Sequence, residues 1–342
     1  VANRIIDALL KAAARGTRVY LLFDDYGARD FNRHDRERLQ HGNIHIRYYN
    51  PLPSHSTLFN LYRVLWKKAL HGLYRNHRKL LLVDGRVAFA GGAGITDEVD
   101  ARTTPQQHWR ETMVEINGPI LADWQLLFTE SWNRSSGQPV KLPEIPSGHL
   151  DNGQSGRVTV NEARLRMGIQ RSLLKQLSGA RQRIWLATAY FIPSWSIRRK
   201  LKRAAGKGVD VRLLLPGPVT DNPGARYASR RYYGRLLNSG VRIYEYTPRF
   251  LHAKTVLCDD WVSIGSCNFD RWNLQWNLEA NQEIDNQPLA AMVAEVFERD
   301  FSDSVEYSHD SWQQRSLHLR LFEWFWRQVE RLSLKIRQRR RP

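Results

Sequence analysis

The sequence predicts an α/β protein made of two similar α/β sandwich halves that are related by a pseudo-twofold axis. Two observations carry this prediction. Segments of the first half recur in the same order in the second half. In both halves, β-rich runs also alternate with amphipathic helices, a pattern typical of a sheet covered by helices. A stretch rich in Ser, Gly and Pro, residues 133–156, separates the halves and is interpreted as a linker.

The internal repeat rests on four pairs of matched blocks. The first two pairs are 12–22 with 204–214, at an offset of 192, and 42–51 with 240–248, with one gap. The other two pairs are 77–84 with 252–259 and 91–92 with 265–266. Because all four pairs follow one order, the sequence indicates a true duplication.

Each half is predicted to run through the same elements. An amphipathic basic helix comes first, at 5–15 and 197–205, and a glycine, Gly16 or Gly208, ends it. The predicted strands, paired between the halves, are 18–23 with 209–215, 44–49 with 241–246, 79–83 with 254–257 and 87–90 with 261–264. A tight turn is predicted between the last two strands of each half. The alternation of strands and helices predicts βαβ crossovers.

The second half has one predicted strand that the first half lacks. This run, 183–192, precedes the helix 197–205, and the offset of 192 places its counterpart before residue 1. We therefore expect the chain to start after that strand and to leave an open position beside the strand 18–23. The predicted organisation is a first half 1–132 without its first strand, a linker 133–156, a second half 157–305 and a C-terminal segment 306–342.

Composition restricts the classes of function. The 342 residues include 52 Lys and Arg against 34 Asp and Glu, and the net charge of +18 favours polyanionic partners, either nucleic acid or anionic lipid. A hydrophobic content of 42% excludes a wholly disordered chain. The cysteines, Cys258 and Cys267, are too few for a disulfide scaffold or a four-cysteine zinc site. No uninterrupted apolar run reaches the ~18 residues of a membrane-spanning helix.

Two further segments bear on the choice between lipid and nucleic acid. Residues 312–342 carry nine Lys and Arg against two acids, with apolar residues at mixed spacings of three and four. This pattern predicts a basic amphipathic helix, which is either an interfacial anchor on anionic lipid or a helix packed on the body. The insertion 58–74 has no counterpart in the second half and is either an apolar lip for acyl chains or a packing helix.

The candidate chemistry lies in a repeated His-x-Lys pattern. His77 projects with Lys79, and His252 with Lys254, because residues i and i+2 of a strand share a face. Two imidazoles supply a nucleophile and a general acid on opposite sides of one phosphate, and two lysines neutralise its oxygens. The small residues at 91–92 and 265–266 are expected to let the backbone approach an anion closely. A pseudo-twofold pairing of the halves would form one shared site.

The repeated pattern, His-x-Lys-x4-Asp followed by Gly-Gly or Gly-Ser, resembles the signature of the phospholipase D superfamily. Several further segments resemble the bacterial cardiolipin synthases and are most similar to the cardiolipin synthase B type: 47–51, 109–119, 190–193 and 265–281. The resemblance covers residues 1–305, nearly the whole chain. It implies a phospholipase D-like fold for each half.

The resemblance also implies roles for single residues. One histidine attacks phosphorus to form a phosphatidyl-histidine and the other protonates the departing alcohol; by the resemblance His77 is the nucleophile and His252 the acid/base, although the residues alone do not order them. One position departs from the family pattern, because Gly94 stands where an Asn is expected. The other matches are the phosphate ligands Lys79, Lys254 and Asn268 and the histidine-orienting carboxylates Glu111 and Glu279. Asp84 and Asp259 complete the signatures, are grouped with the catalytic residues and are expected to brace the local hairpin.

At the level of function, the resemblance implies a phosphatidyltransferase that joins two phosphatidylglycerols into cardiolipin and releases glycerol. It implies a monomeric, peripheral enzyme at an anionic phosphatidylglycerol surface, on the cytoplasmic face of the cell membrane, and it implies no metal or other cofactor. One alternative is a hydrolase of the same superfamily that cleaves phospholipid or nucleic-acid diesters. Another is a non-catalytic polyanion-binding protein, against which the paired motifs count. The basic tail and the predicted lip favour lipid over nucleic acid.

Overall fold

The computed structural model describes residues 1–40, 42–51, 74–104, 107–137, 139–140, 142–145, 154–162, 166–270 and 273–316, together with 321, 322, 325 and 328. Its strands are β1 (Val19–Asp24), β2 (Ile44–Tyr49), β3 (Leu80–Val83), β4 (Val87–Gly91), β5 (Met113–Asn117), β6 (Ser155–Glu162), β7 (Arg166–Met167), β8 (Arg183–Ala187), β9 (Asp210–Pro216), β10 (Arg242–Tyr246), β11 (Thr255–Cys258), β12 (Trp261–Gly265), β13 (Leu278–Asp285) and β14 (Ser304–Tyr307). Its helices are α1 (Ala2–Ala14), α2 (Arg33–Arg38), α3 (Leu121–Ser136), α4 (Gly168–Gly179), α5 (Trp195–Ala205), α6 (Pro223–Arg230), α7 (Tyr233–Leu237), α8 (Asn273–Trp276), α9 (Gln287–Ser302) and α10 (His309–Gln313).

The second half forms one mixed sheet in the order β14-β10-β9-β8-β11-β12-β13-β6-β7. Strands β8, β9 and β10 are parallel and joined by helices, whereas all the other neighbouring strands pair antiparallel. The predicted βαβ crossovers are found from β8 to β10. Strands β11 and β12 form a hairpin, as the tight turn predicted between them requires.

The described strands of the first half form two separate sheets. One is the parallel pair β2-β1, and the other is the antiparallel sheet β3-β4-β5. In the second half, β8 lies between β9 and β11, which are the counterparts of β1 and β3. Among the described residues, no strand occupies the equivalent position between β1 and β3. The two halves thus share strand order except at this position.

Helices cover both faces of the large sheet, as predicted. Successive residues of a strand point to opposite faces, and β9 shows this clearly. Leu213 packs in a buried cluster with Leu201 of α5, whereas Leu214 packs on the other face with Phe297 of α9. The spacing of the apolar residues along α5 places Ile197, Leu201 and Ala204 on its buried side. The basic residues of α5 are therefore left on its outer side.

The two halves pack against each other through a common core. Ala280 of β13 lies in a buried cluster with Ala90 of β4 and Trp124 of α3. The Trp124 indole N–H donates to Oε1 of Gln282 at 2.8 Å. This mixture of side chains from both halves fixes the position of one sheet relative to the other, which is what a site between the halves requires.

The predicted linker and C-terminal segment have different boundaries in the structure. Helix α3 continues to Ser136 and β6 begins at Ser155, so regular structure covers both ends of the predicted linker. Trp312 is buried with its ring 5.0 Å from that of Tyr233, so it packs in the second half instead of facing lipid. Apart from Tyr74, the predicted lip lies outside the described residues, as does most of 317–342. None of the helices in the described part of the chain is long and apolar enough to cross a membrane.

Candidate active site

The two His-x-Lys motifs occupy equivalent positions, each immediately before the first strand of a hairpin. His77 and Lys79 precede β3, and His252 and Lys254 precede β11. The sequence predicted that these strands begin at the lysines; the observed strands begin one residue after each lysine. Both lysines behave alike, since the Lys79 ammonium donates to the carbonyl oxygen of His77 at 2.7 Å and the Lys254 ammonium donates to that of His252.

Backbone bridges cross between the halves on either side of the site. The His77 N–H donates to the carbonyl oxygen of Leu278 at 3.0 Å, so the first motif runs parallel to the start of β13. The His252 N–H donates to the carbonyl oxygen of Arg110 at 2.9 Å, and this bridge is also parallel. Leu278 directly precedes Glu279, and Arg110 directly precedes Glu111. Each bridge therefore brings a histidine close to a glutamate of the other half. The two motifs are thus related by a pseudo-twofold exchange.

The side chains follow the same exchange. Nδ1 of His77 lies 3.0 and 3.1 Å from the two carboxylate oxygens of Glu279, and Nδ1 of His252 lies 2.5 Å from Oε2 of Glu111. The structure therefore places each predicted histidine-orienting carboxylate beside one of the two histidines. Each glutamate serves the histidine of the opposite half, and this crossing was not evident from the sequence.

The two carboxylates are held differently. Glu279 accepts a hydrogen bond from the Ser266 hydroxyl at 2.5 Å and one from the Asn277 amide at 3.3 Å. Glu111 accepts one from the Thr112 N–H at 2.9 Å. Gly92 takes the position of Ser266 in the first half, and a Cβ added there would lie 2.5 Å from the Glu111 carboxylate oxygens. Sequence reasoning missed the hydroxyl of Ser266 as part of the site.

The small residues after each hairpin pack closely against the protein itself, so their approach to an anion stays a prediction. Added Cβ atoms at Gly91 and Gly265 would strike the neighbouring strand, at Met113 and Asn281. Gly92 faces the Glu111 carboxylate instead of open space. Absence of a side chain at these positions permits close packing of the strands and of a catalytic carboxylate.

The lysines and glutamates form one electrostatic cluster. Burial lowers the pKa of Lys79 to about 8, against the opposing effect of Glu279. Burial likewise lowers the pKa of Lys254 to about 8, against the effects of Glu111 and Glu279. Lys254 also lowers the pKa of Lys79 through charge repulsion. Two cations held close together in this way favour a bound anion, whose charge would offset their repulsion.

Burial also keeps the histidines neutral in the free protein. It lowers the pKa of His252 to about 4, with Lys254 adding to the shift and Glu111 opposing it. Burial lowers the pKa of His77 as well, against the effect of Glu279. Because a carboxylate accepts the proton on Nδ1, the Nε2 lone pair of each neutral imidazole is left free to attack or to accept a proton.

The two sides of the site differ in exposure. The His77 side chain is 30% exposed and that of His252 is 9% exposed. The ring of His252 lies 4.7 Å from the Trp109 ring and 5.5 Å from the Phe250 ring. Solvent and ligands thus reach the first histidine more readily than the second.

Asn268 lies buried just beyond Ser266, as expected for a residue of the site. Its Oδ1 atom has no hydrogen-bond partner among the described residues. A buried amide with an unpaired atom is costly unless a ligand or water satisfies it. Gly94, in the corresponding position of the first half, offers no such group. The amide contribution therefore comes from the second half.

Asp84 and Asp259 lie in the hairpin turns, at the other ends of β3 and β11 from the histidines. Both have positive φ, 53° and 52°. The Asp259 carboxylate accepts three backbone N–H bonds from 181–183, at 2.9 to 3.0 Å. Burial alone would raise its pKa, but these bonds hold it below the usual value. These bonds support the bracing role for Asp259; for Asp84 that role stays a prediction.

The fold and the site together define a class: a duplicated α/β protein with a two-histidine centre between its halves, each histidine paired to a carboxylate and accompanied by a lysine. In the part of the chain that the structure describes, no cluster of His, Cys, Asp and Glu could hold a metal ion. The chain belongs to the phospholipase D-like cardiolipin synthase family, whose domain model matches residues 1–132 and 173–301.

Similar proteins include several from Bacillus. The chain is 31% identical over 343 residues to cardiolipin synthase 1 of Bacillus cereus, and 30% identical over 327 residues to the major cardiolipin synthase ClsA of Bacillus subtilis. These alignments cover 97% and 94% of this chain, which spans 65% of the length of each relative. The names of these relatives do not distinguish the B type, which stays a prediction.

Solved structures share the fold. The phosphatidylserine synthase of Haemophilus influenzae superimposes with a TM-score of 0.63 at 13% identity, covering 93% of this chain and 88% of that one. The polyphosphate kinase of Porphyromonas gingivalis has a TM-score of 0.56 at 18% identity, covering 90% of this chain and 42% of that one.

Proposed function

We propose that this chain carries the phosphatidyl-transfer site of a cardiolipin synthase. The observation that supports this most is the crossed arrangement in which His77 contacts Glu279 and His252 contacts Glu111. It supplies two equivalent imidazoles, with buried lysines beside both, at one position between the halves. This is what a double displacement at one phosphorus needs. The substrate class, phosphatidylglycerol, is inferred from the family to which the chain belongs.

In the first step, Nε2 of His77 attacks the phosphorus of phosphatidylglycerol and the bond from phosphorus to the glycerol oxygen breaks. The leaving oxygen takes a proton from Nε2 of protonated His252, so glycerol departs neutral. Glu279 stabilises the positive charge that develops on His77. The bound phosphodiester anion raises the pKa of His252 from its low value in the free protein, so substrate binding itself favours the protonated acid.

In the second step, the hydroxyl of another phosphatidylglycerol attacks the phosphatidyl-histidine. Neutral His252 accepts the hydroxyl proton as the new phosphorus–oxygen bond forms. The bond from phosphorus to Nε2 of His77 breaks, which regenerates the free histidine and releases cardiolipin. We assign Lys79, Lys254 and Asn268 to neutralising and binding the phosphate oxygens, a role that their burial beside the histidines supports.

We further propose that the protein acts as a monomer, peripherally, at an anionic phosphatidylglycerol surface on the cytoplasmic face of the cell membrane. The net charge of +18 supports attraction to such a surface. The halves already form a pseudo-dimer within one chain, because both crossed bridges are intramolecular. No second copy is needed to complete the site.

The test is product identification by mass spectrometry after incubation with phosphatidylglycerol vesicles. We expect cardiolipin and free glycerol in equal amounts. Phosphatidic acid and glycerol without cardiolipin would identify a hydrolase and contradict the transferase proposal. The His77→Ala variant, which lacks the proposed nucleophile, serves as the control for contaminating activity.

A further inference from the structure

Two exposed apolar side chains follow the strands that lead to the site, one at the start of a helix and one in a loop. Trp195, the first residue of α5, is 62% exposed, and Val219, in the loop after β9, is 48% exposed. We call these two residues, together with Arg198 and Arg199, the rim surface. An exposed tryptophan beside basic residues is a combination found where proteins meet the membrane–water interface.

Strand directions place the rim surface at the edge that holds the site. β11 runs antiparallel to β8, and Ala187 at the carboxyl end of β8 pairs with Thr255, the residue after Lys254. The loops after β8 and β9 are joined there, since the Tyr190 hydroxyl donates to Asp221 at 2.5 Å. Asp221 in turn interacts electrostatically with Lys254. The rim surface thus flanks the phosphate-binding side of the site.

Helix α5 gives this surface a strong positive charge. It carries five Lys and Arg and no acid in 11 residues. The Arg199 guanidinium lies 4.5 Å from the Trp195 ring, and that of Arg198 lies 4.6 Å from the ring of Tyr232. No carboxylate of the described residues forms an ion pair with either arginine. Both charges therefore remain available to an anionic partner.

The duplication provides an internal comparison. Helix α1 is the counterpart of α5, yet it carries only two cations, Arg4 and Lys11, and one acid, Asp7. Two of these charges are neutralised, because Arg4 pairs with Asp100 and Asp7 pairs with Arg38. At the offset of the repeat, Asp7 corresponds to Arg199. The fold thus does not require a basic helix at this position, and the charge of α5 calls for another explanation.

The described part of the C-terminal segment extends the apolar character of this edge. Phe322 lies with its ring 5.6 Å from the ring of Tyr227 in α6, the helix that follows the loop of Val219. Leu321 and Phe322 are both exposed. Helix α6 is held near the carboxyl end of β10 by the ion pair between Arg226 and Glu245. Exposed apolar residues therefore continue along the edge from the rim surface.

We propose that the rim surface docks onto an anionic lipid bilayer, with Trp195 and Val219 inserted at the interface and Arg198 and Arg199 on lipid phosphates. Tryptophan favours this interface, and arginine binds phosphate through its fork of N–H donors. A nucleic acid would satisfy the charges but gives the aliphatic Val219 and Leu321 no apolar partner. The proposal rests on the proposed function, since it names the surface that presents lipid to that site.

The test measures binding to vesicles of phosphatidylglycerol mixed with phosphatidylcholine, separately from turnover. In the full chain, Trp195→Ser/Val219→Ser is compared with Leu126→Ser/Met292→Ser, which changes two apolar residues of similar exposure (58% and 64%) on α3 and α9. Arg198→Ala/Arg199→Ala is compared with Lys11→Ala/Arg15→Ala, which removes the same charge from exposed positions at the end of α1. Activity on detergent-dispersed substrate checks that each variant is folded.

We expect each rim variant to bind vesicles much more weakly than its control. For Arg198→Ala/Arg199→Ala, the loss should be about fivefold for each arginine removed. Activity on detergent-dispersed phosphatidylglycerol should stay within twofold of the unchanged protein. Equal vesicle binding by the rim variants and their controls would overturn the proposal. The proposal would also be overturned if the rim variants lost binding to a DNA oligonucleotide while their binding to vesicles stayed unchanged. If no cardiolipin forms but the rim variants alone lose vesicle binding, the proposed function fails and the docking surface stands.

Discussion

Ser266 and Gly92 occupy equivalent positions in the two halves, but only Ser266 has a side chain that supports a carboxylate. Its hydroxyl donates to Glu279 and accepts from the Ala280 N–H at 3.1 Å. In the first half, the Glu111 carboxylate itself fills the space of that side chain. The same carboxylate–histidine pair is thus positioned by a hydroxyl on one side and by the backbone and a lysine on the other.

Ser266→Ala should therefore impair the reaction through the position of Glu279. Loss of a group that orients a catalytic side chain typically costs 10–100-fold, and we expect a fall in kcat of about this size. KM should change little, because Ser266 is not placed to bind the substrate. Ser302→Ala, which removes an exposed hydroxyl bonded to the Arg299 carbonyl, is the matched control. A Ser266→Ala enzyme with unchanged kcat would remove the positioning role.

The buried lysines predict an alkaline limit to activity. With pKa values of about 8, Lys79 and Lys254 are charged below this pH and lose their protons above it. Binding of the phosphodiester should weaken accordingly, so kcat/KM should fall as the pH rises through about 8. Bound phosphate stabilises the charged lysines, so kcat should fall at a higher pH than kcat/KM. A kcat/KM that stays constant up to pH 10 would contradict this assignment.

Single residues also mark the limit of sequence reasoning. The repeat identifies His77 and His252 because each stands at the same place in a matched block, and the resemblance adds Glu111 and Glu279. It does not reveal which glutamate serves which histidine, since that depends on how two sheets are placed. The Ser266 hydroxyl was missed because Gly-Ser was interpreted only as small residues. The available signal was the difference between the repeats, because Ser266 has a side chain where the matched residue, Gly92, has none.

At the scale of elements, the site depends on two short segments that cross between the halves. One is the start of β13, which pairs with the segment of His77, and the other precedes β5 and pairs with the segment of His252. The second is anchored by Arg110, whose guanidinium forms two bonds to Asp300 of α9, at 2.9 and 2.7 Å. Arg110 also donates to the carbonyl oxygen of Glu111 at 2.7 Å. Helix α9 thereby holds the strand segment that carries the opposite half's carboxylate.

Asp300→Ala should destabilise this arrangement strongly. Removing one partner of a largely buried ion pair leaves an uncompensated charge and costs about 3–5 kcal/mol in the free energy of unfolding. The control is Glu298, which lies on the same helix and forms an exposed ion pair with Arg212 of β9. Glu298→Ala should lower the free energy of unfolding by at most about 1 kcal/mol. Chemical denaturation of both variants measures the difference. Equal stability of the two variants would show that the Arg110–Asp300 pair does not anchor this segment.

Elements were predicted more successfully than their arrangement. β2 occupies the predicted residues, and the other strands of the repeat agree to within a residue, because apolar runs bounded by glycine and charged residues specify them. The hairpin of β11 and β12 follows the tight turn that was predicted between them. The extent of one strand was harder to predict, because the run 183–192 was expected to be a single strand but β8 ends at Ala187. Trp312 was assigned to an amphipathic tail, but it is buried against Tyr233. This contact joins residues far apart in the sequence, so the spacing of apolar residues along the chain does not reveal it.

At the scale of the whole molecule, the halves have become unequal around a common site. Asn268 belongs to the second half alone, Gly94 takes its place in the first, and the histidines differ in exposure. The positive charge of α5 has no counterpart in α1. Duplication thus provides the symmetric pair of imidazoles, and later differences separate a more open side from a more enclosed one.

One shared site makes a clear kinetic prediction. His77→Ala and His252→Ala should each lower kcat by several orders of magnitude, and the double variant should be hardly worse than either, because the residues act as a unit. Two independent sites would instead leave about half of the activity in each single variant. Steady-state rates of cardiolipin formation, with circular dichroism as a check of folding, distinguish these cases.

The most direct test of the central claim is to trap the covalent intermediate. Protein is mixed briefly with labelled phosphatidylglycerol, quenched in base to preserve phosphohistidine, and mapped by mass spectrometry. We predict label on His77 in the unchanged protein and in His252→Ala, where slower release should let it accumulate, and no label in His77→Ala. Glu279→Gln should lower the labelling of His77 although it lies in the other half. Label on His252 in the His77→Ala protein would reverse the assignment of the nucleophile, and cardiolipin formation without label on either histidine would contradict the two-histidine mechanism.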